Sequence, residues 1–233
     1  MIATHNSYKG QSQRVGEIFD KLSTEIANEL LSVAHTVSYP SNVLLFSELD
    51  PAQKVFVVLE GEVKLSINSR DGRRLILHIA KKGEIVGLAS ALSGKVHEMT
   101  AETLYPAKLA LLNRRDFLAF LLRNPEAYQS LVEELSFQFT KACEQLRNVG
   151  LSSTAPEKLA RLLLDWSENG QVCDSGTRFH FSLTHQEIGE FIGTTRETVT
   201  RTLNEFKSHR LIAFHGATLT IPNRIALENY AHC

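Results

Sequence analysis

The chain has 233 residues, of which 43% are hydrophobic and 22% are charged. These fractions are ordinary for a soluble globular protein and exclude a mainly disordered or collagen-like chain. At roughly 150 residues per domain, the length predicts one large domain or two small ones. The 25 basic and 26 acidic residues leave a net charge of -1. Because overall charge therefore indicates no nucleic-acid or membrane partner, the function has to be sought in local features.

The sequence offers little evidence for membrane insertion, export or cysteine chemistry. Its longest unbroken apolar run, Phe117 to Leu122, is far shorter than the ~20 residues that cross a bilayer. Residues 1 to 17 are polar and lack the apolar stretch of a secretory signal, so we expect a mobile segment and a cytoplasmic protein. Cys143, Cys173 and Cys233 form no C-x-x-C pair, which argues against a disulfide framework and a cysteine-based iron–sulfur or zinc site.

Residues 35 to 113 carry the pattern of short strands separated by turns. Val63, Leu65 and Ile67 alternate with polar residues, which predicts one buried face and one face in water. The polar residues of this strand, which include Lys64 and Ser66, should face water. Asp71-Gly72 predicts a hairpin turn. The alternation resumes after the turn, with Leu75, Leu77 and Ile79 predicted to face inward. An antiparallel sandwich or barrel is therefore predicted, because a βαβ sheet would need helical periods between the strands.

From about residue 114 the apolar period becomes helical, and a helix is predicted over 126–149. Its apolar residues recur alternately three and four positions apart, the spacing of a coiled-coil seam: Val132, Leu135, Phe139, Ala142, Leu146 and Val149. This stripe either meets its copy in a second subunit or packs on its own barrel. The polar residues that surround it favour dimerisation.

A polar stretch from Asn148 to Pro156, with Ser152 and Ser153, indicates a hinge between domains. Thr154 and Glu157 fit a capping box at the start of the next helix, where an early proline is tolerated. Gly170 to Phe181 then predicts a hairpin.

The segment from Leu183 to Ile212 has the layout of a helix-turn-helix. Thr184 and Glu187 form a capping box, so a helix should begin at His185. Gly193 should end this helix in a left-handed conformation. Thr194 or Thr195 can cap the helix that follows.

The second helix of this segment has two faces of different chemistry. Val199, Leu203 and Phe206 share one narrow sector, and polar residues cover the opposite side: Arg196, Glu197, Thr200, Arg201 and Asn204. Arginine can bind guanine, glutamate can accept from cytosine, and threonine suits a phosphate or a thymine methyl group. Ala213 to Ile221 predicts a wing hairpin, and the helix carries only a small local excess of positive charge.

These residues resemble a known family. QEIGEFIGTTRETVTRTL closely resembles the helix-turn-helix of the CRP/FNR bacterial transcription regulators, and LEGEVKLS and KKGEIVG are similar to that family's cyclic-nucleotide-binding β-roll. The resemblance implies an α+β protein with a jelly-roll-like antiparallel β-roll at 18–125, a dimerisation helix at 126–149 and a winged helix-turn-helix at 150–233.

The resemblance also implies roles for individual residues. Arg196, Glu197 and Arg201 correspond to the base-reading residues of the cyclic-AMP receptor branch, which implies TGTGA-like half-sites in an inverted repeat bound by a homodimer. The expected contacts to the DNA backbone are Gln186, Thr195, Thr198 and Thr200. If the protein activates transcription, RNA polymerase is a further partner.

The expected effector pocket departs from the cyclic-AMP pattern. Next to Gly87, the position of the ribose-binding glutamate holds Leu88, and the position of the phosphate-binding pair holds His97 and Glu98. We therefore expect neither cyclic AMP in the usual mode nor, since the family's N-terminal cysteines are missing, an iron–sulfur cluster.

Three interpretations of effector control stay open: another small molecule near His97 and Glu98, no ligand at all, or haem or redox control through a histidine or Cys143. Two function classes also remain, a DNA-binding regulator and a ligand-sensing module that controls a protein partner. The motifs of an enzyme are absent, so no catalytic residue, metal site or cofactor is predicted.

Overall fold

The computed structural model describes residues 22–151, 154–168 and 170–231. The predictions about residues 1 to 17, the domain start at residue 18, Ser152, Ser153 and Cys233 fall outside these ranges. The chain divides into two compact units, each described by itself below. Of the described residues, one unit holds those from 22 to 67 and from 78 to 141, and the other holds those from 68 to 77 and from 142 onward.

The structure holds its strands and helices in separate runs along the chain, as in an α+β protein. The described helices are α1 Thr24–Ser32, α2 Leu88–Ser93, α3 Arg114–Arg123, α4 Ala127–Leu151, α5 Ala155–Ser167, α6 His185–Ile192, α7 Arg196–Ser208 and α8 Arg224–Ala231. The strands are β1 His35–Tyr39, β2 Leu44–Phe46, β3 Lys54–Glu60, β4 Val63–Asn68, β5 Arg74–Ala80, β6 Ile85–Val86, β7 Thr100–Thr103, β8 Ala107–Asn113, β9 Gln171–Cys173, β10 Gly176–His180, β11 Ala213–His215 and β12 Thr218–Ile221.

The N-terminal strands form two four-stranded sheets, with strand orders β1-β8-β3-β6 and β2-β7-β4-β5. Strand β8 pairs antiparallel with β1 and β3, and β7 pairs antiparallel with β2 and β4. The predicted antiparallel β-roll is therefore confirmed. Two apolar clusters form its core: one joins β3, α2, α3 and the start of α4, and the other lies between strands of the two sheets.

Strand β4 corrects the prediction of one buried and one solvated face. Lys64 and Ser66, which the alternation places in water, are both buried. Lys64 lies opposite Glu102 in the β4–β7 register, and its Nζ is 3.5 Å from the Glu102 carboxylate. A buried charge is tolerated when it is paired, so a polar residue on a strand does not by itself indicate an exposed face.

Two further details of the β-roll differ from the prediction. In β5 the most deeply buried residue is Ile76, whereas Leu75 and Leu77 are only half-buried. The short helix α2 interrupts a segment predicted to hold strands alone. Gly87 and Gly94 bracket this helix in left-handed conformations, and six residues are too few to produce a helical apolar period.

The long helix α4 runs from Ala127 to Leu151 and so extends two residues past its predicted end. The expected hinge therefore begins too early, because Asn148 to Leu151 belong to the last turn of α4. Helix α5 begins as expected: the Thr154 hydroxyl accepts a hydrogen bond of 3.3 Å from the Glu157 backbone N–H, and Pro156 lies in the first turn.

The C-terminal strands form a third sheet with the order β11-β12-β10-β9. It contains the predicted hairpin β9–β10 and the predicted wing β11–β12, both antiparallel. Helices α5, α6, α7 and α8 contribute buried residues to this unit, among them Leu159, Ile188 and Leu227. In the described ranges, no helix combines the length and apolar character needed to cross a bilayer.

Candidate nucleic-acid interface and effector site

Helix α6 begins where its capping signal predicts. The Thr184 hydroxyl accepts a hydrogen bond of 3.2 Å from the Glu187 backbone N–H, and the Glu187 carboxylate accepts one of 3.0 Å from the Thr184 backbone N–H. This reciprocal capping box satisfies two N–H groups that the helix leaves unpaired. The start of the helix-turn-helix is thus determined by a four-residue sequence.

Two glycines allow the tight turn between α6 and α7. Gly193 ends α6 with a φ of 66°, a left-handed conformation that costs a residue with a side chain about 1–2 kcal/mol. The chain that follows the turn passes close to Gly189, and a Cβ atom there would be 2.8 Å from the Thr194 carbonyl oxygen. A side chain at Gly189 would press against the start of α7, and a side chain at Gly193 would be strained and would press against Val149.

The recognition helix, α7, is capped by Thr195 rather than Thr194. The Thr195 hydroxyl accepts from the Thr198 backbone N–H at 3.3 Å. On the inner face, Val199, Leu203 and Phe206 are fully buried, as predicted. The polar residues of the opposite face line one shallow depression of about 490 Å³, the outer-face depression: Arg196, Glu197, Thr200, Arg201 and Asn204.

The outer-face depression combines donors with an acceptor of fixed charge. Arg196 and Arg201 are exposed and present guanidinium donors. Hydrogen bonds from the Glu197 backbone N–H and from Thr195, together with the charge of Arg196, lower the pKa of the Glu197 carboxyl. Glu197 therefore stays ionised at neutral pH and can only accept hydrogen bonds, as recognition of a cytosine amino group requires.

The residues expected to contact the DNA backbone already have partners within the protein, and Thr200 is the one that lines the outer-face depression. Gln186 is exposed and donates to the Glu190 carboxylate within α6 at 3.0 Å. Thr195 and Thr198 are tied together at the N-terminus of α7 by hydroxyl oxygens 3.2 Å apart. The Thr200 hydroxyl is engaged with α6 through His185, whose Nδ1 lies 2.8 Å from it.

His185 is the residue of this surface that the sequence does not single out. Its position predicts only the start of α6, yet its ring links α6 to the outer face of α7. The two partners lie 15 residues apart, and a contact across a turn leaves no periodic signal. A helical projection of both helices could have placed His185 near Thr200, but could not have shown the hydrogen bond.

The last turns of α4 pack within the same unit as the helix-turn-helix. The Gln145 side-chain amide donates to the Ile76 carbonyl at 2.8 Å and to the Phe191 carbonyl at 2.6 Å. A Cβ atom on Gly193 would lie 3.0 Å from Val149 Cγ1, so Val149 faces the turn between α6 and α7. The end of α4 is therefore part of the environment of the recognition helix.

The predicted seam of α4 is largely uncovered in the single chain. Val132, Phe139 and Leu146 expose 62%, 71% and 61% of their surface, and Leu135, Ala142 and Val149 are half-buried. An apolar stripe this exposed is unusual on a monomer. The alternative in which the stripe packs on its own barrel is therefore wrong for the three most exposed residues.

The predicted effector residues lie close together in the first unit. A Cβ atom on Gly87 would be 3.1 Å from the His97 ring. That ring stacks on Phe46 with 3.6 Å between centroids. Glu98 accepts a hydrogen bond from the Ser90 hydroxyl of α2, and Leu88, at the start of α2, is buried in the core.

His97 is deeply buried and its Nδ1 makes no hydrogen bond within the described residues. Burial lowers the pKa of His97, while the charges of Glu98 and Asp50 oppose that shift. A neutral imidazole, a carboxylate and a core leucine supply no cation for a cyclic phosphate and no acceptor for a ribose hydroxyl at Leu88.

Cys143 is the residue that the redox interpretation of effector control names. Cys143 is half-buried on α4 and is a free thiol. Within the described ranges, no group of three or more His, Cys, Asp or Glu side chains is arranged to hold a metal ion.

Comparison with known proteins matches two domain families to the chain. Residues 36–124 match the cyclic nucleotide-binding domain family, and residues 157–230 match the Crp-like helix-turn-helix domain family. The chain is 24% identical over 192 residues to the cAMP-activated global transcriptional regulator CRP of Pasteurella multocida, covering 82% of this chain and 91% of that protein. It is 26% identical over 230 residues to the global nitrogen regulator of Synechococcus elongatus, covering 98% of each.

A solved structure shares both units. FixK2 from Bradyrhizobium japonicum is 26% identical, with a TM-score of 0.74 over 85% of this chain and 97% of that one. The fold and the site together define a helix-turn-helix transcription regulator that binds DNA. More particularly, the chain belongs to the CRP/FNR family, and the relatives named above are regulators rather than enzymes.

Proposed function

We propose that the protein is a homodimer that reads an inverted-repeat operator with TGTGA-like half-sites through α7. The observation that carries this proposal is the outer-face depression, where two exposed arginines flank an ionised Glu197. Arginine binds guanine O6 and N7, and glutamate accepts from cytosine N4. Guanine and cytosine readers on one face suit a half-site that contains G·C pairs.

Dimerisation through α4 would supply the affinity for DNA that the balanced net charge does not provide. Two recognition helices related by two-fold symmetry bind half-sites about one helical turn apart. The three uncovered seam residues, Val132, Phe139 and Leu146, provide the apolar surface for a parallel contact between two copies of α4. The second copy then doubles the number of base contacts without giving the protein a large net positive charge.

We further propose that cyclic AMP does not control this protein in the usual mode. The support is the chemistry of Leu88, His97 and Glu98, which offers no counter-charge to a phosphate. The name of the cAMP-activated relative therefore does not identify the effector of this protein. Control by another small molecule near His97 and Glu98, or regulation without a ligand, is compatible with these side chains.

Fluorescence titration tests the operator. A labelled duplex with two TGTGA half-sites in inverted repeat is compared with a scrambled duplex of equal composition at two salt concentrations. We expect at least a thousandfold preference for the repeat, with affinity that falls steeply with salt. Equal affinity for both duplexes would overturn the proposal. Sedimentation at the same protein concentration checks the dimer, and a monomer bound to the full repeat would contradict it.

A further inference from the structure

The β-roll carries a second depression, of about 540 Å³, which we call the basic depression. It lies where β3 begins, where α2 ends and where α3 begins. Among the described residues no acidic side chain lines it, whereas four cationic side chains do: Lys54, Lys95, Arg114 and Arg115. All four belong to the first unit, and none is a predicted effector residue.

The four cations of the basic depression have no acidic partner within the described ranges. Other exposed cations do pair, as Arg73 does with Asp71 at 2.8 Å. The acidic residues nearest in the chain are engaged elsewhere: Asp50 accepts from the backbone of its own loop, and the Asp116 carboxylate is 3.4 Å from the Asn113 side-chain amide. In a chain of net charge -1, so local an excess of positive charge favours an anionic ligand.

Arg114 is the cation whose position is fixed by the fold. It is half-buried, and its Nε donates to the Ala91 carbonyl oxygen at 2.6 Å. A Cβ atom on Gly94 would lie 2.8 Å from Arg114 Nη2, so the guanidinium rests against the backbone at the end of α2. Since Arg114 also lines the depression, its other N–H donors are held ready for an oxyanion. A planar guanidinium binds two oxygens of a phosphate at once.

The size and walls of the basic depression favour a small organic molecule over a bare ion. Its volume falls in the range of about 300–1,000 Å³ that small-molecule sites occupy, and Pro51, Ala52 and Val96 give it an apolar part. A phosphate group carries up to about two negative charges and three strong acceptor oxygens. An acidic peptide instead spreads its charge along the chain, whereas the four cations here surround one depression.

We propose that the basic depression binds a small organic molecule that bears a phosphate group, with Arg114 as the bidentate anchor. The exposed side chains of Lys54, Lys95 and Arg115 supply the remaining counter-charge. This site is separate from the outer face of α7 and from the positions aligned with the family's effector pocket. The inference therefore does not depend on the proposed operator.

Calorimetric titration of the full-length protein with phenyl phosphate tests the site, with sodium chloride at equal ionic strength as the blank. We expect saturable binding of one phenyl phosphate per chain, several-fold tighter than inorganic phosphate because the ring meets the apolar wall. Arg114→Gln should weaken binding about tenfold, since it removes a charge-assisted contact, and Arg114→Lys should restore only part of the loss. Arg73→Gln, which removes an exposed arginine outside the depression, should leave the affinity unchanged.

A pair of glycine variants tests the positioning of Arg114 without changing its charge. In Gly94→Ala the new Cβ atom would displace the guanidinium, so phenyl phosphate should bind more weakly. Gly72→Ala introduces a side chain at a similar left-handed φ, 81° against 71°, but no described atom lies within 4 Å of the new Cβ atom. It should therefore retain the wild-type affinity. Thermal unfolding confirms that each variant is folded before it is titrated.

Each outcome supports or overturns a stated part of the inference. Absence of saturable binding, or binding that neither Arg114→Gln nor Gly94→Ala weakens, would overturn the site. Equal affinity for phenyl phosphate and inorganic phosphate would overturn the organic ligand. Hexaglutamate that binds more tightly than phenyl phosphate would overturn the phosphate assignment in favour of an acidic protein segment. A protein that binds phenyl phosphate as expected but does not distinguish operator from scrambled DNA would contradict the proposed function alone.

Discussion

The outer face of α7 and the effector residues of the β-roll expose their side chains to very different degrees. Arg196, Glu197 and Arg201 are exposed, whereas Leu88 and His97 are almost completely buried. The same family resemblance points to both sets. The difference teaches that residues on an interface for a large partner keep their chemistry available, while residues aligned with a small-molecule site can become part of the core.

The largest expected effect is a loss of stability in the β-roll, which tests whether Leu88 belongs to the core. Leu88→Ala should lower the free energy of unfolding by about 2–5 kcal/mol, because it removes a buried side chain from a packed cluster. Leu122→Ala is the matched control, since Leu122 is 77% exposed, and should change stability by no more than about 0.5 kcal/mol. Chemical denaturation measures both. Equal stabilities of the two variants would show that Leu88 lies in an open pocket instead.

The next effect belongs to α7. Arg196→Ala should weaken operator binding by about 1–3 kcal/mol per half-site and relax the preference at one guanine. Its unfolding free energy should stay close to that of the wild type, because Arg196 is exposed. Arg178→Ala, an exposed arginine on β10, serves as the control for general charge. A loss that is the same for every DNA sequence would identify Arg196 as a phosphate contact.

A smaller effect sharpens the account of the turn that presents α7. Gly193→Ala and Gly216→Ala both place a side chain at a φ of about 60°, which costs about 1–2 kcal/mol. Only at Gly193 does the new Cβ atom also approach Val149, and no atom lies within 4 Å at Gly216. Thermal unfolding should therefore show the larger destabilisation for Gly193→Ala. The reverse order would mean that Val149 moves aside freely.

The last prediction concerns pH and the interior of the first unit. Burial, with the charge of Glu84, raises the pKa of Glu134 on α4, although hydrogen bonding from Gln138 opposes the shift. The folded state then retains a proton that the unfolded chain releases. The contribution of Glu134 to the free energy of unfolding is therefore greatest in acid. It falls as the pH rises from the ordinary carboxyl pKa through the raised pKa of the folded state.

Glu134→Gln should remove this part of the pH dependence, because glutamine cannot ionise. Denaturation at several pH values compares it with Glu133→Gln, whose carboxylate is on the exposed side of α4. The difference between wild type and Glu134→Gln isolates Glu134 from the nearby His78–Glu84 pair, which is present in both proteins. Parallel stability curves for wild type and Glu134→Gln would contradict the raised pKa.

Local sequence signals account for the parts of the fold that sequence analysis predicts well. The Thr184–Glu187 capping box, the Gly193 turn and the apolar spacing of α7 each involve residues within a few positions of one another. Hydrogen-bond geometry and steric exclusion act over the same distance, so these signals translate directly into structure. The antiparallel β-roll follows from the short strands and from the Asp71-Gly72 turn, although the alternation assigns the wrong buried faces in β4 and β5.

Several features that sequence analysis misses depend on residues distant in the chain. Lys64 is buried because β4 places it opposite Glu102. His97 is enclosed by Phe46, and Thr200 is held by His185. No period or spacing encodes such pairs, because they arise only when strands and helices are packed. Composition and pattern therefore predict the recognition surface better than they predict its internal supports or the effector site.

The side chain of Gln145 has a consequence for how the protein unfolds. Its single amide nitrogen uses both protons, one on the hairpin carbonyl of Ile76 and one on the α6 carbonyl of Phe191. Hydrogen exchange should accordingly find the last turns of α4 opening together with the helix-turn-helix, as one cooperative segment. A fragment that starts at residue 150 would lack this amide. In such a fragment the last turn of α6 would lose a hydrogen bond, so the isolated winged helix would be less stable than in the full chain.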